Sequence, residues 1–352
     1  MKAIVQERFG SPDVLQFMDT DLPEIGPDDV LVRVHAAALN PYDWHMLRGD
    51  PYVARLMGEV GLTKPRHKNR IAGADGAGTV EAVGANVRGL RPGDEVLGWF
   101  QGSFAEYARA AAARVVHKPA RLSFEQAAAV TMAGETALRA IRDVGQVQAR
   151  HRVLINGAAG GVGSFAVQIA AALGAEVTGV CSTRNVELVR SIGAARVIDY
   201  TKDDFTDGRT QYDVVHDNVG NHPLRRLRRA LTPTGTLVSN AGGSPDHVFG
   251  PIGAILRVLA LNAFVAQRLR PLPDTWTPAR RHRARRGRET QPRRRPDLSA
   301  PRRGCRPALP GRGPRARQGR HHRDLSRGSR PGALATSTPL GRPASQPSTP
   351  NP

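Results

Sequence analysis

Cysteine is nearly missing from this 352-residue chain, which holds only Cys181 and Cys305. Two thiols cannot build a disulfide framework or a four-thiolate zinc site, and their scarcity points to a reducing, cytoplasmic setting. Long apolar runs are lacking as well. No stretch approaches the roughly 18 uninterrupted apolar residues of a membrane span, and Met1-Lys2-Ala3-Ile4-Val5 opens no signal-like apolar region. A soluble chain without a membrane partner is expected. Acidic residues are scarce at one end only. Residues 278–352 hold 20 arginines, no lysine and three acids, Glu289, Asp297 and Asp324, and so carry +17 of the formal +20. Spread over the chain, that charge would suggest nucleic acid or an anionic surface. Confined to a tail beside a nearly neutral body, it gives no reason to expect a specific nucleic-acid partner.

What is present suits two domains of ordinary size, since single cores rarely grow past roughly 250–300 residues. Up to about residue 120, short β-branched runs alternate with turn formers: Val30-Leu31-Val32-Arg33-Val34, Gly78-Thr79-Val80-Glu81-Ala82-Val83, and Asp94-Glu95-Val96-Leu97 behind Arg91-Pro92-Gly93. This predicts a partly closed β domain. At Ser123-Phe124-Glu125-Gln126 the period changes. Ser123 and Gln126 form a capping box, and a helix to about Ile141 follows. From Arg152 the order is strand (153–155), glycine turn (157–163), helix (165–173) and strand (176–180), a βαβ unit. Further strands are expected at 196–198, 213–216 and 235–239. The fold class is therefore α/β, a doubly wound parallel sheet with a second, β-rich domain.

The turn carries the pattern Ala158-x-Gly160-x-x-Gly163, a dinucleotide fingerprint with Ala in the first glycine position. The small residues Ala158, Ala159, Gly160, Gly161, Val162 and Gly163 let the backbone turn tightly and approach a pyrophosphate, whose charge the following helix N-terminus meets. A plain tight turn is the alternative, and it does not account for the placement between a buried strand and an amphipathic helix. About twenty residues on, a carboxylate would accept hydrogen bonds from the ribose 2′-hydroxyl of NAD. The sequence there is Cys181-Ser182-Thr183-Arg184-Asn185, with no acid. Ser182, Thr183 and Arg184 suit a 2′-phosphate, so NADPH is expected; otherwise Arg184 is a solvated residue at a helix start. Metal ligands are wanting, because His35, His45, His67 and His117 show no metal-site spacing and the two cysteines lie far apart in sequence. No metal is expected.

Five further segments occur in order: Ala38-Leu39-Asn40-Pro41-Tyr42-Asp43, Gly73-Ala74-Asp75-Gly76-Ala77-Gly78, Leu90-Arg91-Pro92-Gly93-Asp94-Glu95-Val96, Gly102-Ser103-Phe104-Ala105-Glu106-Tyr107 and Ala133-Gly134-Glu135-Thr136-Ala137-Leu138. With the glycine turn, residues 1–277 resemble the medium-chain dehydrogenase/reductase superfamily, in its zinc-free quinone oxidoreductase-like branch. The resemblance implies a GroES-like substrate domain at 1–122, normally completed by the C-terminal part, a Rossmann NADP-binding domain at 123–260, and a return segment at 261–277. In zinc-dependent relatives the first segment supplies a Cys and the second a His-Glu pair, whereas Asn40, Ala74 and Asp75 stand in those places. Carried over by position, the resemblance implies catalytic-cleft roles for Asn40 and Asp43. It implies cofactor contacts for Thr131, Tyr200, Asn218, Val219, Gly220, Ser239, Asn240 and Ala241. Tyr52 is expected to donate to the substrate carbonyl, with a packed aromatic as the alternative. The implied reaction passes hydride from NADPH to a quinone or α,β-unsaturated carbonyl, acceptors electrophilic enough to need no Lewis acid. A homodimer through the Rossmann sheet edge is implied too.

Beyond Thr277 the composition turns abruptly to Arg, Pro and Gly, without the apolar periodicity of a packed structure. Codons for Pro314-Arg315-Ala316-Arg317-Gln318-Gly319-Arg320-His321-His322-Arg323 can be chosen so that, read one nucleotide later, they give His-Ala-Pro-Gly-Lys-Val-Val-Ile-Thr-Val, a family-like strand. In the same shifted frame 306–313 permits Ala-Arg-Arg-Tyr-Leu-Glu-Glu-Gly, and 293–299 permits Val-Val-Asp-Arg-Thr-Tyr-Pro. A frameshift near residue 277 is the expectation, ahead of a nucleic-acid-binding basic arm. Such a change would impair catalysis and leave at least a dinucleotide-binding product.

Overall fold

The computed structural model describes residues 1–50, 71–240, 258, 261–262 and 264–272. Tyr52, His67, Ala241 and the Arg-rich stretch 278–352 lie outside the described residues. The chain divides into the units Met1–Ala284 and Arg285–Pro352, and every described residue belongs to the first.

The β-branched runs of the first half form strands for the reason their alternation suggests. In β3 (Asp29–Ala38), Val30 and Val32 are fully buried while Leu31 between them is half-buried and Arg33 beyond them is exposed, the two-residue period of a strand with one face in a core. It follows β1 (Lys2–Gln6) and β2 (Leu15–Asp19), which pair with each other. After it come β4 (Asp75–Val83), β5 (Glu95–Trp99), β6 (Tyr107–Ala111) and β7 (Val115–His117). The order β6-β3-β4-β5-β7 is antiparallel throughout, and Val30, Val32, Val80, Val96, Phe100, Ala108 and Ala110 fill one core. Helix α1 (Pro41–Arg48) leaves the end of β3 and stops at Gly49, which takes the left-handed conformation at φ 66°. This half leaves Phe17, Leu22, Leu39 and Val116 exposed.

Helix α2 (Phe124–Leu138) starts at the predicted capping box: the Ser123 hydroxyl accepts from the Gln126 amide at 3.2 Å, and Gln126 Oε1 accepts from the Ser123 amide at 3.0 Å. The helix expected to reach Ile141 is α-helical to Leu138 and closes as one wider π turn, Arg139–Val144. Its first turns set Ala127 and Ala128 against Ala77 and Leu97 of the β half. Its far end, with the π turn, sets Ala137, Ala140 and Ile141 into the core of the second half. One helix thus belongs to two interiors.

Among the described residues the second half has six parallel strands in the order β10-β9-β8-β11-β12-β13, formed by β8 (Arg152–Asn156), β9 (Glu176–Cys181), β10 (Arg196–Asp199), β11 (Tyr212–Asp217), β12 (Leu231–Ser239) and β13 (Arg268–Pro271). Strands β8, β9 and β11 are almost wholly buried because helices cover both faces, among them α3 (Gly161–Ala172) with Ala166, Val167 and Ala170 inward. The predicted strands appear within a few residues of their expected bounds. One expectation needs correction: residues 268–271, assigned to a segment returning to the substrate domain, add a sixth strand to this sheet. Leu269 is fully buried in the second core and its amide is held by Asn262 Oδ1 at 2.8 Å. A single apolar residue between arginines gave too short a pattern to reveal a strand.

His216 of β11 is fully buried. Its Nδ1 faces the Val238 carbonyl at 3.4 Å and its Nε2 has no hydrogen-bond partner. Burial lowers its pKa to about 4, against the smaller opposing pull of the Val238 carbonyl and of Asp217. The folded protein therefore resists the proton that the unfolded chain takes up, and stability is lost as pH falls from the unfolded value through about 4. Denaturant titrations of the wild type and His216→Gln should differ in slope. Between about pH 7 and about pH 4 the wild type should lose on the order of 3 kcal/mol more than the variant; parallel curves would exclude a buried neutral imidazole.

Candidate functional site

In a parallel sheet of this winding, ligands bind beyond the carboxyl ends of the strands, where the strand order reverses. Here the reversal lies between β8 and β11. Asn156 ends β8 and Asp217 ends β11, paired in register, and their buried side chains bond across the gap: Asn156 Nδ2 donates to Asp217 Oδ1 at 2.8 Å and to Asn221 Oδ1 at 2.9 Å. The same Asp217 oxygen accepts the amides of Val219 at 3.1 Å and Gly220 at 3.0 Å. Asn240 donates its amide to the Asp217 carbonyl at 2.9 Å and its Nδ2 to Asn218 Oδ1 at 3.2 Å. The expected residues Asn218, Val219, Ser239 and Asn240 therefore lie side by side on this edge, organised by Asn156 and Asp217. No role was read from either, because a polar residue ending a buried strand looks in sequence like any strand terminus.

The glycine turn opens on the same edge. Gly157 has φ 80°, outside the range of ordinary side chains, and Gly163 lies so close beneath it that a Cβ on Gly163 would come within 2.0 Å of the Gly157 carbonyl oxygen. Helix α3 begins at Gly161, so its free amides face out of the turn. Ala158, at the first fingerprint position, is fully buried. Val219 abuts Gly157, and Ala133 of α2 lies against Gly161. Two buried polar atoms nearby in the fold have no partner, Asn218 Nδ2 and Thr131 Oγ1. Close-packed glycine backbone, helix amides and these free polar atoms fit a pyridine dinucleotide.

At the end of β9, Thr183–Asn185 forms one 3-10 turn after Ser182. Ser182 Oγ accepts from Asn185 Nδ2 at 3.1 Å, and Arg184 and Tyr200 are exposed. The segment Cys181–Asn185 holds no acid, but β10 runs parallel to β9 and sets Asp199 opposite Cys181. Asp199 accepts the Thr183 hydroxyl at 2.6 Å, the Thr201 hydroxyl at 2.8 Å and the Thr201 amide at 3.0 Å, and these bonds with Lys202 hold its carboxyl below the usual range. A spacing rule counted along one strand misses an acid supplied by its neighbour. Cys181 itself is buried, with its thiol pushed up by burial and by Asp199.

The remaining cluster centres on the fully buried Asp75 at the start of β4. Its Oδ2 accepts the Met132 amide of α2 at 2.8 Å and Asn40 Nδ2 at 3.1 Å. Asp43 in α1 accepts the Asn40 amide at 2.8 Å. Each carboxylate keeps one buried oxygen, Oδ1, without a partner. Burial raises Asp43 to about 6 and, helped by the charges of Asp43 and Glu135, raises Asp75 to about 7. Asn40 and Asp43 thus lie together, and Asp75 links Asn40 to Met132, the neighbour of Thr131 in α2. Of the histidines, His35 bonds the Thr79 hydroxyl at 2.9 Å and His117 the Gly89 carbonyl at 3.1 Å, both exposed. Among the described residues no three His, Cys, Asp or Glu side chains group as a metal site would, and no helix is long and apolar enough to cross a membrane.

Comparison with known proteins accords with this geometry. Residues 26–120 match the alcohol dehydrogenase GroES-like domain and residues 161–271 the zinc-binding dehydrogenase domain. The chain is similar to the mitochondrial NAD(P)H oxidoreductase RTN4IP1 of Mus musculus, with 39% identity over 236 residues, 62% of this chain and 60% of that protein; it spans under two thirds of that relative's length. It is 35% identical over 254 residues to a quinone oxidoreductase of Pseudomonas aeruginosa, 69% of this chain and 74% of the relative. Among solved structures, Escherichia coli quinone oxidoreductase complexed with NADPH superposes with a TM-score of 0.63 at 27% identity, over 77% of this chain and 81% of that one.

Asp75→Ala leaves the Met132 amide and the Asn40 side chain without their acceptor. The expected loss is about 2 kcal/mol in chemical denaturation. Asp75→Asn keeps an acceptor and imitates the neutral acid, so it should cost less. Because the raised carboxyl favours its neutral form in the folded state, wild-type stability relative to Asp75→Asn should rise as pH falls from about 7 towards about 4. Equal losses for the two variants would remove Asp75 from this bonding role.

Proposed function

The chain belongs to the quinone oxidoreductase-like branch of the medium-chain dehydrogenase/reductase superfamily, and from that premise we propose that it is a zinc-independent, NADPH-dependent oxidoreductase reducing quinones or α,β-unsaturated carbonyls. The observation that carries this reading is the turn Gly157–Gly163, where the Gly163 backbone lies against the Gly157 carbonyl at the strand reversal. In this reading the turn's amides hold the pyrophosphate, Ser182, Arg184 and Tyr200 face the 2′-phosphate from the turn that Thr183 braces against Asp199, and Thr131 and Asn218 use their free polar atoms towards the nicotinamide. The reduced nicotinamide, when bound, supplies the hydride. Asn40 donates one Nδ2 hydrogen to Asp75 and holds the other only loosely on the Ala38 carbonyl at 3.5 Å, and in this reading that second hydrogen turns to a developing oxyanion. Asp75, raised to about 7, is only partly ionised at neutral pH, which lowers the charge beside Asn40 and suits an uncharged acceptor.

Zinc independence is supported by the donor set: Asn40, Ala74 and Asp75 replace the Cys and His-Glu of zinc-dependent relatives, leaving no soft ligand in either place. The paucity of cysteine supports a cytoplasmic location, and homodimerisation remains part of the proposal. Residues 278–352 are taken as a shifted-frame product outside the activity, a reading supported by the family match ending at residue 271. The gene's nucleotide sequence tests it, since stops or unrelated residues in the shifted frame would end the idea.

The activity is tested by following NADPH oxidation at the nicotinamide absorbance against quinone and enone panels, with the chain as it stands and with its frame restored after residue 277. Turnover by either form supports the reductase; NADPH binding without turnover in both would replace it with a dinucleotide-binding role. Gly163→Ala, which forces the turn apart, should weaken NADPH binding at least about tenfold in a folded protein. Unchanged affinity would displace the cofactor from this turn.

A further inference from the structure

We propose that Asp199 decides which dinucleotide this site takes, because Thr183 and Thr201 hold its carboxylate away from the ribose, and that releasing it turns the site towards NADH. This rests on the dinucleotide reading above and concerns the 2′ position of the same site.

A carboxylate at the end of the second strand of a βαβ unit discriminates by accepting hydrogen bonds from a ribose 2′-hydroxyl and repelling a 2′-phosphate. Strand β9 ends at Cys181 without one. Asp199 nevertheless occupies the same end of the sheet: its Cα is the register partner of Cys181, and the Tyr200 amide donates to the Cys181 carbonyl at 3.1 Å. The carboxyl group therefore lies beside the turn that follows β9, and the Thr183 hydroxyl of that turn reaches it at 2.6 Å.

An ionised carboxylate has about four acceptor positions, and here each oxygen faces two donors. Oδ1 takes the Thr201 amide at 3.0 Å and the Thr201 hydroxyl at 2.8 Å. Oδ2 takes the Thr183 hydroxyl and faces Lys202 Nζ at 3.7 Å. The side chain is 10% exposed. With three hydrogen bonds made and Lys202 beside the fourth position, little is left for a ribose hydroxyl, and the exposed Lys202 offsets part of the charge that would repel a phosphate. The two threonines thus convert a residue suited to NADH into a support for the turn that presents Ser182 and Arg184. Thr183 is the weak point, since it is exposed and is the one donor contributed by the turn itself.

The test measures dissociation constants of NADPH and NADH by nicotinamide fluorescence on the full chain. Thr183→Val removes the hydroxyl and keeps the shape, freeing Oδ2. It should shift the NADPH-to-NADH affinity ratio about tenfold towards NADH, the effect of one charge-assisted hydrogen bond. Thr183→Ser, which retains the hydroxyl, should keep the wild-type ratio. Adding Asp199→Asn to Thr183→Val should cancel the shift, since the charge is gone. An unchanged ratio in Thr183→Val, or a shift that survives Asp199→Asn, overturns the proposal while leaving the oxidoreductase reading intact. If the folded wild type binds neither dinucleotide, the underlying reading falls, and this one with it.

Discussion

Asp75 Oδ2 accepts one hydrogen bond from Met132 in α2 and one from Asn40 at the head of α1, so a single oxygen ties a strand and two helices from both halves of the molecule. An acceptor in that position is obligatory, because a buried amide without one costs about as much as a mutation of ordinary severity. Yet burial makes charge costly there, and it raises the carboxyl's pKa to about 7. The requirement to join α2 to β4 and the requirement to keep the Asn40 surroundings poor in charge are met by the same group. In the zinc-dependent pattern that position belongs to a glutamate beside a metal. Here its successor organises side chains.

The carboxyl edge of the parallel sheet works by the same economy. Asn156 and Asp217 face one another where the strand order reverses, and their bonds fix the segments carrying Asn218, Val219 and Asn240. All of these contacts are between the protein's own groups, so one buried pair at the strand ends sets the positions of three neighbouring residues. The glycine turn contributes shape, with the absence of a side chain at Gly163 allowing two backbone segments to approach.

Much of this was legible in the sequence, for reasons that differ by element. Strands such as Val30–Val34 and the capping box at Ser123 are local, since period and capping chemistry act within a few residues. The glycine fingerprint is local too, and the structure forms it at the predicted residues. Asp199 was missed because its neighbour in space, Thr183, is in another strand's turn, and only sheet order reveals such a pairing. Residues 268–271 were misassigned because Leu269 alone carries the apolar signal. Asp75 could be placed by family pattern, but its bond to Met132 depends on how α2 crosses β4, which no linear spacing encodes. Tyr52 remains a sequence expectation, as it lies outside the described residues.

Helix α2 has its early alanines in one interior and its later ones in another. A residue packed in a single core can drift in evolution whenever nearby side chains readjust around it. Along α2 such readjustment is constrained at both ends, because any shift of the helix axis that suits one core displaces the other. The helix is thus doubly constrained, and small side chains such as Ala127, Ala128, Ala137 and Ala140 are what allow one axis to serve two neighbours. Surface loops on either half lie outside that constraint, so each half can vary at its own surface about a joint held by both cores.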